Sequence, residues 1–335
     1  MLSRHRLCGA EPTGDAALAP GFGRAKSVVV LFAGGGQSQL DTWDPKPNAP
    51  AEVRGAFDSI ATRVPGARFC EHLPRTAEVS DRLTVVRSMS HEDLDHGSAI
   101  YLSLTGRYHR KRSGNPPPAA DDLPCFGSIL GRVRPSRDFV QTAVHVNGPI
   151  VAPTDPAPGQ FPGFLGQKFA PLTLGDVSAG ALAVPGLEPL AGLPEVRLRE
   201  RGRLRDAIDL ALQSEATQRR LRDADVLYAQ AFEMLERPQT REAFDLSQEP
   251  ESLREAYGRN RTGQSCLLAR PLVEAGCPLT TVFLNHNVRG QDAAGDQIDE
   301  WGWDTHNDIF EGLQHWLLPR FDRAFSTFIR DLDDR

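Results

Sequence analysis

Ser27-Val28-Val29-Val30-Leu31-Phe32-Ala33-Gly34-Gly35-Gly36 is the stretch of sequence that decides the fold class. Its apolar run lacks alternating polar residues, which predicts a strand buried on both faces of a parallel sheet. The glycines end the strand and place backbone N–H groups at the carboxyl edge of the sheet, where α/β proteins bind ligands. Gly35, Gly36, Gln37 and Ser38 are therefore candidate substrate-binding residues. A tight exit turn explains the same glycines, and a P-loop is excluded because the Gly-Lys-Ser/Thr ending is missing.

Further periodic patterns outward from this stretch predict an α/β fold with a mostly parallel sheet. Apolar, β-branched runs predict strands over residues 83–89, 142–146 and 279–284. Helical spacing predicts helices over residues 73–83 and 97–106. Strands that alternate with helices in this way are typical of a sheet covered by helices.

The remaining segments extend this α/β domain, which we place over residues 26–335, after a poorly ordered segment at 1–25. The Pro- and Gly-rich residues 149–194 predict a long ordered excursion, and residues 195–277 predict a helical insert. A last amphipathic helix follows. Its apolar face consists of Ile309, Leu313, Trp316, Leu317, Phe321, Phe325, Phe328 and Leu332.

Composition and charge exclude several classes of protein. The 335 residues are 40% hydrophobic and 24% charged, as in a globular protein with one large α/β domain or two average domains. The net charge of −6 argues against nucleic-acid binding, and no apolar run approaches the ~18 residues of a membrane span. Five scattered cysteines without C-x-x-C spacing predict free, mostly buried thiols.

Two clusters of ligand-type side chains follow predicted strands and precede predicted helices. The first contains Asp95 and His96, with His91 upstream, and the second contains Asp304 and His306, with Asp308 downstream. Both would project from the same edge of a parallel sheet. Carboxylate and imidazole ligands suit Zn²⁺, Mn²⁺ or Fe, and a dication there would polarise an oxyanion or activate water. Alternatively, Asp304 caps the last helix and His96 is a hydrogen-bonded core histidine, and the residues alone leave both interpretations open.

A serine hydrolase is the competing enzyme class. Its nucleophile would need a sharp G-x-S-x-G turn, which the sequence does not contain. Ser38 and Ser98 offer hydroxyl groups, expected to be exposed, without that frame. We therefore do not expect a catalytic triad.

Four motifs resemble a bacterial family known as domain of unknown function 1501. They are Gly34-Gly35-Gly36-Gln37-Ser38-Gln39-Leu40-Asp41-Thr42-Trp43-Asp44-Pro45-Lys46-Pro47, Met89-Ser90-His91 with Asp95-His96-Gly97, Tyr257-Gly258-Arg259-Asn260-Arg261-Thr262-Gly263-Gln264-Ser265, and Gly302-Trp303-Asp304-Thr305-His306. The resemblance spans residues 24–335 and implies a sulfatase-like member of the alkaline phosphatase superfamily. It implies a three-layer α/β/α sandwich whose strand ends hold a dimetal site and a nucleophile derived from Ser, Thr or Cys. The biochemical function of the family is largely unassigned.

The resemblance also implies roles for individual residues. The helix that ends in Leu104-Thr105-Gly106 resembles the sulfatase helix that begins at the nucleophile. His96 then occupies the nucleophile position and Ser98 lies two places later, which makes these two the candidate catalytic residues.

A metal site follows from the same resemblance. Asp41 is the closest substitute for the superfamily's first metal ligand, because glycine follows strand one directly. Asp304 and His306 resemble an Asp-x-x-x-His metal pair, although one residue separates them instead of three. The candidate ligands of a divalent cation, Zn²⁺, Mn²⁺ or Ca²⁺, are Asp41, His91, Asp95, His96, Asp304 and His306.

Members of the family normally continue into a strand bearing Glu-Phe-Gly-Arg and an Asp-His-Trp segment that resembles a second metal pair. The resemblance therefore implies a C-terminally truncated form or a fragment. Family members often begin with a twin-arginine export signal, which implies export to the periplasm, although the chain shows no signal peptide.

These implications give three hypotheses about function. The first is a metal-dependent hydrolase of small-molecule or polymeric phosphate or sulfate esters, with little activity in a truncated chain. The second is a non-catalytic binding or assembly protein on the same fold, which the absence of Cys or Ser at position 96 favours. The third is a chain that does not fold stably, because a missing strand would expose a sheet edge.

Overall fold

The computed structural model describes residues 23–178, 238–288 and 302–335. Its centre is a four-stranded sheet of order β1-β6-β4-β5 in which every neighbouring pair is parallel. The described strands are β1 (Val28–Phe32), β2 (Ser59–Ala61), β3 (Arg68–Cys70), β4 (Ala143–Val146), β5 (Leu172–Leu174) and β6 (Leu279–Phe283). β2 and β3 form a separate antiparallel pair. The predicted α/β class with a mostly parallel sheet is confirmed.

Helices surround this sheet. The described α-helices are α1 (Ala51–Arg54), α2 (Pro74–Ala77), α3 (His96–Thr105), α4 (Phe126–Val133), α5 (Pro238–Phe244), α6 (Glu251–Tyr257), α7 (Arg261–Glu274), α8 (Ile309–Gly312) and α9 (Leu318–Asp333). A π-helical turn, Leu313–Leu317, joins α8 to α9. Short 3₁₀ turns lie at Ser80–Arg82, Gly163–Leu165, Gln167–Phe169 and Leu246–Gln248. The predicted helix over 97–106 and the last amphipathic helix are confirmed.

The two faces of the sheet contribute to two separate hydrophobic clusters. Side chains alternate between the faces of a strand, and successive residues of β6 separate accordingly. Val282 packs in the larger cluster with Leu268 of α7 and Leu318 of α9. Phe283 packs in the smaller cluster with Ile100 and other residues of α3 and the loops. Helices therefore cover both faces of the sheet.

Helix α7 belongs to the core of the domain. Its residues Cys266, Leu267, Leu268, Ala269 and Leu272 are at most 1% exposed. Buried Arg270 pairs with Asp331 of α9 at 3.1 Å, which couples the two helices. The predicted helical insert over 195–277 thus ends in a core helix, and residues 195–237 lie outside the described residues.

The prediction of a strand over 83–89 is wrong. These residues have no regular secondary structure, and Val85, Val86 and Met89 are 36%, 59% and 80% exposed. A β-branched run forms a strand only where another strand supplies backbone partners, and β1 pairs with β6 alone among the described strands. Among the described strands β1 therefore lies at the edge of the sheet, and it is half-buried rather than buried on both faces, with Val28 51% exposed.

Other predictions need smaller corrections. The helix predicted over 73–83 is interrupted, because α2 ends at Ala77 and only a 3₁₀ turn follows. The excursion over 149–194, described as far as residue 178, contains β5, which was not predicted. On the last helix, Ile309, Trp316 and Leu332 are 39%, 36% and 41% exposed, so they do not belong to its buried face.

The expectation that the cysteines are free and mostly buried agrees with the described residues. Cys70, Cys125, Cys266 and Cys277 are free and buried, whereas Cys8 lies outside the described residues. No helix in the described part of the chain combines the length and apolar character needed to cross a bilayer.

Stability should depend on pH through His145 of β4. This side chain packs edge-on against Phe283, with ring centroids 5.5 Å apart, and burial lowers the pKa of its imidazole from 6.5 to about 4. The unfolded chain therefore binds a proton between these two pH values that the folded chain excludes. Stability that is fully present above pH 6.5 is lost as the pH falls towards 4.

Because of His145, we expect the free energy of unfolding to fall by about 2 kcal/mol when the pH is lowered from 7 to 5. Urea titrations at both pH values should show this loss in the wild type and its absence in His145→Gln. His315→Gln, which changes an exposed histidine, should keep the wild-type difference. An unchanged pH dependence in His145→Gln would contradict the explanation.

Candidate functional site

The carboxyl ends of β1 and β6 are joined by the side chain of Asn285. Gly34 donates its N–H to Asn285 Oδ1 at 2.9 Å, and Asn285 Nδ2 donates to the Gly34 carbonyl at 2.8 Å. The same carbonyl accepts the N–H of Trp303 at 3.1 Å. Because Trp303 precedes Asp304, these bonds fix the second predicted cluster against the end of the first strand. Sequence analysis missed Asn285, although a polar residue directly after a buried strand was a usable signal.

Because residue 35 is a glycine, the backbone of the second cluster can lie close to the backbone of residue 35. A Cβ built on Gly35 would lie 2.3 Å from the backbone nitrogen of Asp304, and Gly35 has φ +108°. The Asp304 N–H donates to the Val288 carbonyl at 2.9 Å, and the Trp303 ring packs edge-on against Phe321 of α9. The position of the Asp304 carboxylate is therefore fixed by its backbone.

Three predicted site residues come together around that carboxylate. His96 Nε2 lies 3.0 Å from Asp304 Oδ2, and His306 Nε2 lies 2.7 Å from Asp304 Oδ1. Each of the three residues offers one possible ligand atom, and these three atoms all lie within 4.8 Å of one another. The Asp304 side chain is only 10% exposed, whereas those of His96 and His306 are 31% and 57% exposed. The site is thus anchored on a nearly buried carboxylate and is open to solvent at the imidazoles.

The two alternatives for these residues do not hold. Asp308, not Asp304, occupies the N-cap position of α8. His96 is partly exposed and faces Asp304, so it is not a core histidine.

The first turn of α3 places His96 at this edge of the sheet. Asp95 caps the helix, with its Oδ1 accepting the His96 N–H at 2.9 Å. The next two backbone N–H groups donate hydrogen bonds to a loop outside the helix. The Gly97 N–H donates to Asn115 Oδ1 at 2.7 Å, and the Ser98 N–H donates to the Gly114 carbonyl at 3.0 Å. The loop that contains Gly114 and Asn115 therefore positions the helix start, in place of the wrongly predicted strand.

His91 and Asp95 line a cleft together with His96. Neither belongs to the cluster that His96 forms with Asp304 and His306. The Nδ1 atom of His91 accepts the N–H of Asp93 at 3.1 Å. In a neutral His91 the proton is therefore on Nε2. The cleft has a volume of about 330 Å³, within the range of small-molecule sites.

The expectation that Ser98 offers an exposed hydroxyl is wrong. Ser98 is fully buried, and its Oγ donates to Asp93 Oδ1. The same Asp93 oxygen accepts the N–H of Ser113 at 2.7 Å, whereas Asp93 Oδ2 is buried and has no hydrogen-bond partner among the described residues. Sequence analysis missed Asp93, although its place between His91 and Asp95 was the available signal. Ser98 connects α3 to the loops, and its catalytic role stays a prediction.

The predicted substrate-binding residues divide into two groups. Gly35 and Gly36 line the same cleft as His96. Gln37 and Ser38 instead stabilise the turn that follows β1, because Gln37 Oε1 accepts the Trp43 indole N–H at 2.9 Å and Ser38 Oγ donates to Asp41 Oδ2 at 2.6 Å. Asp41 is 8% exposed and is not part of the cluster around Asp304. Its predicted role as a metal ligand gains no support from this position.

Replacement of Gly35 by alanine should displace Asp304. The added Cβ would overlap the Asp304 backbone, and alanine rarely adopts φ +108°. We expect a loss of more than about 3 kcal/mol in the free energy of unfolding, measured by urea denaturation. Gly36→Ala is the matched control, because Gly36 has φ +91° but no atom within 4 Å of its built Cβ. This control should lose only about 1–2 kcal/mol from backbone strain, and equal losses would contradict the proposed contact.

Comparison with known proteins connects this geometry to a family. Residues 25–335 match the family described as "Protein of unknown function (DUF1501)". Neither the curated proteins nor the solved structures gave a match to the chain. The family match spans β1, α3, β6 and the Asp304 segment, so it includes every element of the site. The chain therefore belongs to the DUF1501 family of proteins of unknown function.

Proposed function

We propose that this chain is a metal-dependent hydrolase of phosphate or sulfate esters on an alkaline-phosphatase-like, three-layer α/β/α scaffold. The observation that carries the proposal is the convergence of His96, Asp304 and His306 at the carboxyl edge of the sheet. Ligand sites of open parallel sheets form at this edge. Helices on both faces of the β1-β6-β4-β5 sheet are compatible with the three layers.

The chemistry of the three donors fits a divalent transition metal. Two imidazoles and one carboxylate form the ligand set of many catalytic zinc sites and of mononuclear iron sites. The nearly buried Asp304 carboxylate lies between the two histidines, and the exposure of His306 leaves a face open for substrate. Ca²⁺ fits less well, because it prefers six to eight oxygen ligands. Of the expected metals, we therefore propose Zn²⁺ or Mn²⁺.

A cation held by these residues would supply Lewis-acid polarisation of the ester oxygen and a lowered pKa for water. The chain contributes the shape of the cleft beside it. A Cβ built on Gly36 meets no atom within 4 Å, so a small anionic group can approach the backbone closely at this position. Gly36 and His96 line the same cleft, so an ester bound there would lie next to His96.

The side chains of the cleft favour attack by water over a covalent intermediate. Of the described hydroxyl groups near the cleft, Ser98 is buried against Asp93, and Ser103 Oγ donates to the Ala99 carbonyl at 2.9 Å. Asp95 and His91 are the remaining acid–base groups of the lining. We assign Asp95 to accept the proton of the attacking water, and the Nε2–H of neutral His91 to donate a hydrogen bond to the leaving oxygen, which departs as an anion.

A specific observation also favours a binding or assembly protein on the same fold. His96 stands where the resemblance places a nucleophile, and its Nε2 atom faces Asp304 at 3.0 Å. A scaffold that retains the fold without hydrolysing esters would show the same contact.

Metal binding is the first test of the proposal. Equilibrium dialysis of the full chain should show saturable binding of Zn²⁺ or Mn²⁺, with weaker binding of Ca²⁺. His306→Ala should weaken binding at least tenfold, because one of three ligands is lost. His315→Ala removes an exposed histidine outside the cluster and should leave binding unchanged. Absence of saturable binding, or equal binding by His306→Ala and the wild type, would overturn the metal site.

Ester hydrolysis separates the hydrolase from the scaffold. Aryl phosphate and aryl sulfate esters should be cleaved by metal-loaded protein, and a chelator should abolish the reaction. Asp304→Asn should lower kcat/KM by at least about a hundredfold, because it removes the central carboxylate while preserving its size. Metal binding without cleavage of either ester would favour the binding protein.

A further inference from the structure

A second cavity lies at the opposite edge of the sheet from the candidate metal site. It is bounded by α4, by the segment that leads into β4 at Ala143, and by the 3₁₀ turn Gln167–Phe169. Its volume is about 500 Å³, which is typical of sites for small organic ligands. Because it lies at the amino end of β4, its ligand is distinct from any molecule bound at the carboxyl edge.

The charge of this cavity is opposite to that of the whole chain. Arg132 and Lys168 line it, and none of the described residues in its lining is acidic, although the net charge of the chain is −6. Neither cation forms an ion pair with a carboxylate in the described ranges. Two cations that share one concave wall without carboxylate partners create a local positive potential.

The rest of the lining is suited to a flat apolar group. The half-buried ring of Phe169 lies beneath the Lys168 ammonium, 5.7 Å from the nitrogen, and Val140 lines the cavity as well. Glycine at position 131 keeps the space open, because a Cβ there would lie 3.8 Å from Thr142 Cβ and 4.0 Å from Phe169 Cδ1. A larger side chain at position 131 would therefore occupy the cavity without a backbone clash.

We propose that this basic cavity, lined by Gly131, Arg132, Val140, Lys168 and Phe169, binds a small aromatic anion. The anionic group lies between Arg132 and Lys168, and the ring packs on Phe169 and Val140. The inference is independent of the proposed hydrolase function, because it shares no residue with the site at His96, Asp304 and His306.

Calorimetric titration of the full chain with naphthalene-2-sulfonate tests the proposal. This probe carries one charge and contains no ester bond, so it cannot be consumed as a hydrolase substrate. The uncharged naphthalene-2-sulfonamide is the matched ligand. We expect saturable binding of the sulfonate, at least fivefold tighter than that of the sulfonamide and weakened by added salt.

Four variants locate the probe. Arg132→Gln and Lys168→Gln should each weaken binding about fivefold, whereas Arg134→Gln, an exposed arginine on the same helix end but outside the lining, should not. Gly131→Leu should abolish binding while the chain stays folded by circular dichroism, because leucine favours a helix over glycine. His306→Ala should leave the affinity unchanged.

Three outcomes would overturn the inference. They are equal binding of the charged and uncharged probes, unchanged affinity in both Arg132→Gln and Gly131→Leu, and loss of binding in His306→Ala. The last outcome would place the anion at the candidate metal site instead.

Discussion

The pairing of Gly34 with the Asn285 amide is the constraint on which the candidate site depends. Parallel strands end with unpaired backbone groups, and here one buried side chain satisfies both the N–H and the carbonyl of Gly34. Trp303 adds a third hydrogen bond to the same peptide carbonyl. The end of β1, the end of β6 and the segment that carries Asp304 thereby become one rigid unit. Without the amide, buried polar groups would lose their partners, at a cost of roughly 1–3 kcal/mol each.

The elements that could be predicted from the sequence are those with strong local patterns. Val28–Phe32 is a continuous apolar run, and Leu279–Phe283 combines apolar residues with two β-branched threonines; both segments form strands of the parallel sheet. The run over residues 83–89 has an equally strong β-branched composition but remains exposed, because strand formation depends on a partner that local composition does not reveal. β5 was missed for the opposite reason. Its three residues, Leu172–Leu174, are too few for a pattern, and their pairing with β4 makes them a strand.

In the candidate site, too, local sequence patterns predicted some features, whereas features that depend on distant residues were missed. His96, Asp304 and His306 were predicted at one sheet edge, and their contacts confirm that they lie together. Part of the reasoning was wrong, because the loop with Gly114 and Asn115 places His96 there, not a preceding strand. Ser98 could not be recognised as buried, since its partner Asp93 lies on an irregular segment without periodicity. Their functional roles rest on the proposals above.

The half-buried outer edge of β1 has a consequence for how the protein behaves in concentrated solution. In the described part of the chain, β1 pairs with β6 on one side only, and nearby in sequence Val86, Met89 and Leu94 are 59%, 80% and 87% exposed. An unpaired strand edge is a template for strand addition, and exposed apolar side chains add to the tendency of a protein to associate. Met89 is also accessible to oxidants, and its sulfoxide would make this surface more polar. Low protein concentration and the exclusion of oxidants therefore suit the preparation of this chain.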